Sequence, residues 1–350
     1  MRRRFIIVVS MIGLLSAARA GAQVVPDFVD VPYAALHERN KLDIYLPDTG
    51  ESPYPVVVWI HGGAWLGGDK SSAAGRAALL LPHGFAVVGI NYRLSQHAIF
   101  PAQIHDCKGA IRWLRANAAT YDLDPNRVGV WGSSAGGHLV SLLGTSGGVA
   151  AAEGNVGGNL GFFSRVQAVA DYFGPTDLLH MQLDVTDPPG SSLNHDAPTS
   201  PESRLIGFDD PGEGIGVLRA NQGNPNPPFP EKMALIILAD PIVHATPDDP
   251  PFYISHGTMD ATVPMGQSTK LAAALLADGV PHTYNQVAGA GHGMPPSVDA
   301  VAVQFFRDHL TGPAAPAVSA KGMILVGLAV ACAGAAVFRR RCLRREATPD

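Results

Sequence analysis

The sequence predicts an α/β protein with a mostly parallel, doubly wound sheet and a loop-rich insertion ahead of its last strands. Apolar runs of strand length recur at 56–60, 85–90 and 127–131. Segments with helical periodicity lie between them, and a G-x-S-x-G pentapeptide directly follows the third run. Buried strands alternating with helices imply right-handed crossovers and parallel pairing.

In chain order, residues 42–46 alternate apolar and polar, as a half-buried strand does, and Pro47 ends them. Residues 56–60 (VVVWI) are apolar throughout, as expected of a central strand covered on both faces. Residues 85–90 share that character. Residues 102–117 are periodic at helical spacing, and Cys107 falls on one stripe with Ile104, Ile111 and Leu114, a core position. A third buried strand at 127–131 leads into a helix at 134–143. Strands follow at 166–170 and 251–255, a helix at 268–276, a short strand at 281–287 and a closing helix at 298–310. The stretch 174–250 breaks this rhythm. It is rich in Pro, Gly, Asn and Asp, and a connection of that length is usually functional. We expect a cap-like insertion across the mouth of the site, within one catalytic domain spanning 23–311.

The two ends differ from this body. Met1–Arg4 is basic, 5–17 is apolar, and Ala18-Arg19-Ala20 has the small-x-small form of a cleavage site, so 1–22 reads as a secretory signal. A Pro/Ala-rich linker at 312–321 precedes an uncharged apolar run at 322–338, at the short limit for a bilayer span. The tail 339–350 opens with Arg339-Arg340-Arg341, which belongs on the cytoplasmic side. This end resembles the C-terminal sorting signals of Gram-negative exported proteins, some of which are cleaved. The expectation is an exported, periplasmic or cell-surface protein with membrane contact through 322–338 and with export and sorting machinery as partners. The net charge is −5, yet arginines cluster at both ends, so the body is more acidic than the total. An acidic body repels phosphates, which sets nucleic acid aside as a partner. Of three cysteines, Cys332 and Cys342 lie in the tail region, leaving Cys107 alone in the body without an internal disulfide partner.

Gly132-Ser133-Ser134-Ala135-Gly136 stands between a buried strand and a helix, the context in which G-x-S-x-G lifts a serine hydroxyl above a sheet edge. Ser134 is the candidate nucleophile. His61-Gly62-Gly63-Ala64-Trp65 follows the strand 56–60 and offers backbone N–H groups of Gly63 and Ala64, joined by that of Ala135, as an oxyanion hole. His61 itself reads as a residue that ties down the loop. A serine hydroxyl needs a general base. His292, flanked by glycines in 289–293 after the last strand, is preferred to His256, His244 and His282. Asp260, just past the strand 251–255, precedes it in the chain order Ser–Asp–His and is the candidate orienting acid, in preference to Asp240, Asp248 and Asp249. No H-E-x-x-H or Cys/His cluster suggests zinc, and this chemistry needs no metal or other cofactor.

The stretches 42–47 (LDIYLP), 58–70 (VWIHGGAWLGGDK), 91–94 (NYRL), 100–116, 128–138 (VGVWGSSAGGH), 173–178 (FGPTDL) and 256–264 together resemble bacterial esterases of the feruloyl and acetyl esterase type, relatives of the hormone-sensitive lipase branch. The insertion segments His195-Asp196-Ala197-Pro198 and Ser200-Pro201-Glu202-Ser203 are also similar to that family, whereas Asn224–Pro230 is a local elaboration. The resemblance implies an α/β-hydrolase fold and a serine carboxylesterase acting on small acyl or aryl esters, or on acyl groups carried by carbohydrate. A small amidase on the same triad and a non-catalytic binding protein on the same scaffold are the competing readings.

Overall fold

The computed structural model describes residues 24–312. Residues 1–22, read as a secretory signal, the apolar run at 322–338 and the basic tail therefore lie outside the described residues, as does the linker beyond Gly312. Among the described residues no helix is long and apolar enough to cross a membrane.

Eight strands form one sheet. They are β1 (Phe28–Pro32), β2 (Lys41–Tyr45), β3 (Tyr54–Ile60), β4 (Ala86–Ile90), β5 (Leu123–Ser133), β6 (Ala168–Tyr172), β7 (Phe252–Gly257) and β8 (His282–Val287). Their order across the sheet is β1-β2-β4-β3-β5-β6-β7-β8. The β1–β2 and β2–β4 pairs are antiparallel; every pair from β4 onward is parallel.

The apolar character of the central strands has a direct structural reading. Val56, Val58 and Ile60 pack into one core layer, and Val57 and Trp59 into the other, so β3 is covered on both faces. The first layer is closed by α2 (Ala102–Ala116), α3 (Ala135–Thr145) and α8 (Gly266–Ala277), through Ile104, Cys107, Leu139, Leu142 and Leu271. The second is closed by α1 (Ala73–Leu80) and α9 (Pro296–Leu310), through Ala77, Leu80, Ala302 and Phe306. Cys107 is buried and unpaired, on the core stripe the spacing indicates.

Between α3 and β6 lies a single turn, α4 (Ala150–Glu153). The segment between β6 and β7 is more ordered than its composition suggests. It holds α5 (Pro201–Ile206), α6 (Ile215–Ala220) and α7 (Phe229–Ala239). Two of these have only six residues, too few to show a 3.6-residue period. The core of α7, Met-Ala-Leu-Ile-Ile-Leu-Ala, is apolar all round and shows none either. Asn224–Pro230, read as an elaboration, runs into the first turn of α7. Ser200 caps α5: its side chain accepts from the Ser203 N–H, and Pro201 occupies the first helical position.

Candidate active site

Every candidate residue hangs from the C-terminal end of a parallel strand. The 61–65 loop follows β3, Ser134 follows β5, Asp260 follows β7 and His292 follows β8. In open parallel sheets this edge is where ligands bind.

Ser134 sits between β5 and α3 with φ 56° and ψ −125°, a conformation that costs energy for any residue with a Cβ. Neighbours hold it there: its N–H donates to Tyr172 O at 2.9 Å and its carbonyl accepts from the His138 N–H at 3.0 Å. The flanking glycines are required by close approach. A Cβ on Gly132 would stand 2.2 Å from Gly136 O, and one on Gly136 would stand 2.0 Å from Ile60 O. Beneath the turn, the buried Asp171 accepts from Ser141 Oγ at 2.9 Å and from the Gly174 N–H at 2.9 Å. Burial pushes Asp171 up to about 6, although those hydrogen bonds oppose the shift.

The loop after β3 lies against this turn. Gly63, Ala64 and Trp65 all have positive φ. The N–H groups of Gly63 and Ala64 donate to no backbone acceptor among the described residues. Ala135 is the first residue of α3, so its N–H has no partner within the helix. His61 is buried and stacks on Tyr92 at 4.4 Å between ring centroids. Its Nδ1 meets Gly62 O at 2.8 Å and its Nε2 meets Arg39 Nη2 at 3.2 Å. Burial lowers its pKa to about 4, with the Arg39 charge acting in the same direction. Both ring nitrogens are thus committed to holding the loop, and His61 has no hydrogen bond to Ser134.

Asp260 and His292 meet: His292 Nδ1 lies 2.8 Å from Asp260 Oδ2. Asp260 Oδ1 accepts from the N–H groups of Thr262 at 2.8 Å and Val263 at 3.0 Å, and His256 Nε2 lies 3.4 Å from Oδ2. Burial alone would raise the Asp260 carboxyl; contacts with His256, His292 and the Val263 N–H outweigh it and hold the group well below the usual carboxylate range. The two loops are stapled together, since Met259 N–H donates to Ala290 O at 2.9 Å and Gly289 N–H donates to Thr258 Oγ1 at 2.9 Å. Phe173 packs on the His292 ring at 4.6 Å. No hydrogen bond joins Ser134 Oγ to His292 in this structure; such contacts are often long in unliganded enzymes and tighten around substrate.

The three alternative bases, His256, His244 and His282, are otherwise engaged. His256 is fully buried and contacts Ser268 Oγ and Val263 O, each at 2.8 Å. His244 meets Leu238 O, and His282 meets Val280 O. Among the described residues no three His, Cys, Asp or Glu side chains are grouped to hold a metal.

A small pocket opens beside Ser134. It is lined by Ala64, Trp65 and Ala135, by Met181, Leu193, His195 and Glu202 from the insertion, and by Thr262 and Val263 from the acid loop. Sequence reasoning gave His195 and Glu202 no role, although both fall in segments that resemble the esterase family.

Comparison with known proteins agrees with this architecture. The BD-FAE family model matches residues 42–275. Esterase LipQ of Mycobacterium tuberculosis is 32% identical over 75% of this chain and 56% of its own length. A truncated carbohydrate esterase from gut microbiota is 34% identical, with a TM-score of 0.71 over 83% of this chain and 99% of that one. The bifunctional GH43-CE of Bacteroides eggerthii is 38% identical, with a TM-score of 0.68 over 81% of this chain and 38% of that one. The chain spans about half the length of the curated relatives it matches. The sheet order, the strand-end loops and these similarities are those of the α/β-hydrolase fold, and the chain belongs to the BD-FAE family of esterases.

Proposed function

We propose that this protein hydrolyses carboxylic esters through an acyl-enzyme on Ser134, with His292 as general base and Asp260 as its orienting acid. The observation that carries this reading is the 2.8 Å Asp260–His292 contact between two loops joined by hydrogen bonds, of which the acid loop lines one pocket with Ser134. In the first stage His292 Nε2 takes the Ser134 proton as Oγ attacks the carbonyl carbon. The oxyanion develops against the N–H groups of Gly63, Ala64 and Ala135, donors worth about 3 kcal/mol each in comparable sites. The imidazolium then returns the proton to the leaving alcohol as the C–O bond breaks. Water, deprotonated by the same ring, adds to the acyl carbon, and the ring returns that proton to Ser134 Oγ as the C–Oγ bond breaks and the acid leaves. Asp260 keeps the Nδ1 proton in place and stabilises the imidazolium.

Acyl groups carried on carbohydrate are the finer reading. It is supported by the names of the two solved relatives, a carbohydrate esterase and a GH43-CE protein. Export and membrane contact through 322–338 are supported by the sequence of the two ends alone. Steady-state hydrolysis of p-nitrophenyl acetate and of 4-nitroacetanilide tests the reaction class. Ester turnover that Ser134→Ala removes is expected; turnover of the anilide in preference to the ester would move the activity to amides, and turnover of neither would favour a binding protein.

A further inference from the structure

Asp260 is flanked by two imidazoles. His292 Nδ1 lies 2.8 Å from its Oδ2, and His256 Nε2 lies 3.4 Å from the same oxygen. His256 stands on β7 and is fully buried. Both of its ring nitrogens have close partners: Nε2 meets Val263 O and Nδ1 meets Ser268 Oγ, each at 2.8 Å. Ser268 belongs to α8, so the ring is held between the sheet and a helix of the first core layer. The ring of Phe173 lies 6.3 Å from that of His256 and 4.6 Å from that of His292, and its backbone N–H donates to Ser255 O at 2.9 Å. One aromatic side chain therefore packs on both imidazoles.

The partners decide where the hydrogen of His256 sits. A backbone carbonyl only accepts, so Nε2 carries a hydrogen and donates it to Val263 O. In the neutral ring Nδ1 accepts from the Ser268 hydroxyl, and in the charged ring it donates to that oxygen; Nε2 keeps its hydrogen in both. Asp260 Oδ2 stands beside that hydrogen as a second, longer acceptor. The acid turn is thus held on two sides. Asp260 Oδ1 accepts from the N–H groups of Thr262 and Val263, while Oδ2 is shared by two rings. Burial would raise the Asp260 carboxyl, and His256 leads the contacts that lower it instead. We propose that His256 is a positioning residue for hydrolysis: it fixes the Asp260 carboxylate so that Oδ2 faces His292 Nδ1, and it touches no reacting atom itself. This role rests on the reading of Asp260 as orienting acid and deepens it, since the acid then works as the centre of a His–Asp–His array. A ring that merely filled core volume could give way to an apolar ring without loss of turnover; a positioning ring could not, because misorientation costs rate rather than binding.

The test is steady-state hydrolysis of p-nitrophenyl acetate, with thermal midpoints, for His256→Phe, His256→Gln and Ser268→Ala, in the wild-type and Asp260→Asn backgrounds. His256→Phe keeps a ring and loses the Nε2 hydrogen, so kcat should fall roughly tenfold or more, as expected for losing a hydrogen bond to a charged group. KM should stay within about twofold, because no contact with substrate is removed. His256→Gln, whose amide can place an N–H near the Nε2 position, should recover most of that loss. Ser268→Ala frees Nδ1 and leaves the ring in place; its kcat should fall in the same direction, and it answers the question if substitution at 256 prevents folding. In the Asp260→Asn background His256→Phe or Ser268→Ala should cost less than about twofold further, since a residue that acts only through the carboxylate has nothing left to orient. Unchanged kcat in folded His256→Phe and Ser268→Ala, or a full additional loss on top of Asp260→Asn, would overturn the proposal. Asp260→Asn alone separates the two claims. Wild-type turnover in that variant defeats the reading of Asp260 as orienting acid, whereas a collapse there with unchanged turnover in the His256 and Ser268 variants defeats the role of His256 alone.

Discussion

The indole N–H of Trp65 donates to Nδ1 of His138 at 3.2 Å, and Nε2 of the same ring meets Ala239 O at 2.7 Å. One buried imidazole therefore joins the 61–65 loop, the helix that follows Ser134 and the end of α7 in the insertion. Only the neutral ring can accept from Trp65 and donate to Ala239 at once. Burial pulls the His138 pKa from 6.5 to about 4, although the Ala239 carbonyl opposes the shift.

That linkage fixes the sign of a pH effect. Between 6.5 and about 4 the unfolded chain binds a proton at this position that the folded chain refuses. The stability held by His138 is complete above that window and is lost as pH falls through it. Asp171, raised to about 6, acts in the opposite direction, so the comparison must be made between variants. His138→Gln, which keeps an acceptor and a donor, should lose less stability than wild type between about pH 7 and about pH 5. Urea denaturation at the two pH values checks this. Parallel losses in both proteins would contradict it.

The glycines of the Ser134 turn give a contrast within one protein. Gly136→Ala drives a methyl against the Ile60 carbonyl, which is backbone and cannot yield. A loss of about 3 kcal/mol or more is expected, together with esterase activity. Gly75, inside α1, has nothing within 4 Å of its would-be Cβ. Gly75→Ala should stabilise by about 0.5–1 kcal/mol and leave turnover unchanged. Denaturation midpoints with p-nitrophenyl acetate rates measure both.

Asp260→Asn separates orientation from folding. The amide oxygen can still accept from Thr262 and Val263, so the turn should persist. The amide nitrogen, facing Nδ1 of His292, would favour the wrong tautomer of the ring. A fall in kcat of about 10³–10⁴-fold with little change in thermal midpoint is expected, and a fall of less than about tenfold would argue against Asp260 as the orienting acid.

Much of this fold was legible because buried parallel strands carry a distinctive composition. Val56–Ile60 is apolar on both faces, and that alone places it at the centre of a covered sheet. The elements that escaped notice are those whose pattern is diluted. In β1, Phe28 and Val29 are exposed at the sheet edge, so no alternation marks the strand. In α1, four alanines and a glycine precede the leucines, and small residues blur its apolar stripe. The candidate triad was readable because each member follows a recognisable strand. His195 and Glu202 were not, since what makes them unusual is a three-dimensional fact: each keeps a buried polar atom without a hydrogen-bond partner, and both line the pocket that contains Ser134.

The most direct measurement is fluorophosphonate labelling of the intact protein followed by peptide mass spectrometry, for wild type, Ser134→Ala and His292→Ala. A single adduct on the peptide containing Ser134, absent from Ser134→Ala and strongly reduced in His292→Ala, is the predicted result. An adduct on another serine, or undiminished labelling of folded Ser134→Ala, would contradict the assignment of Ser134 as the nucleophile.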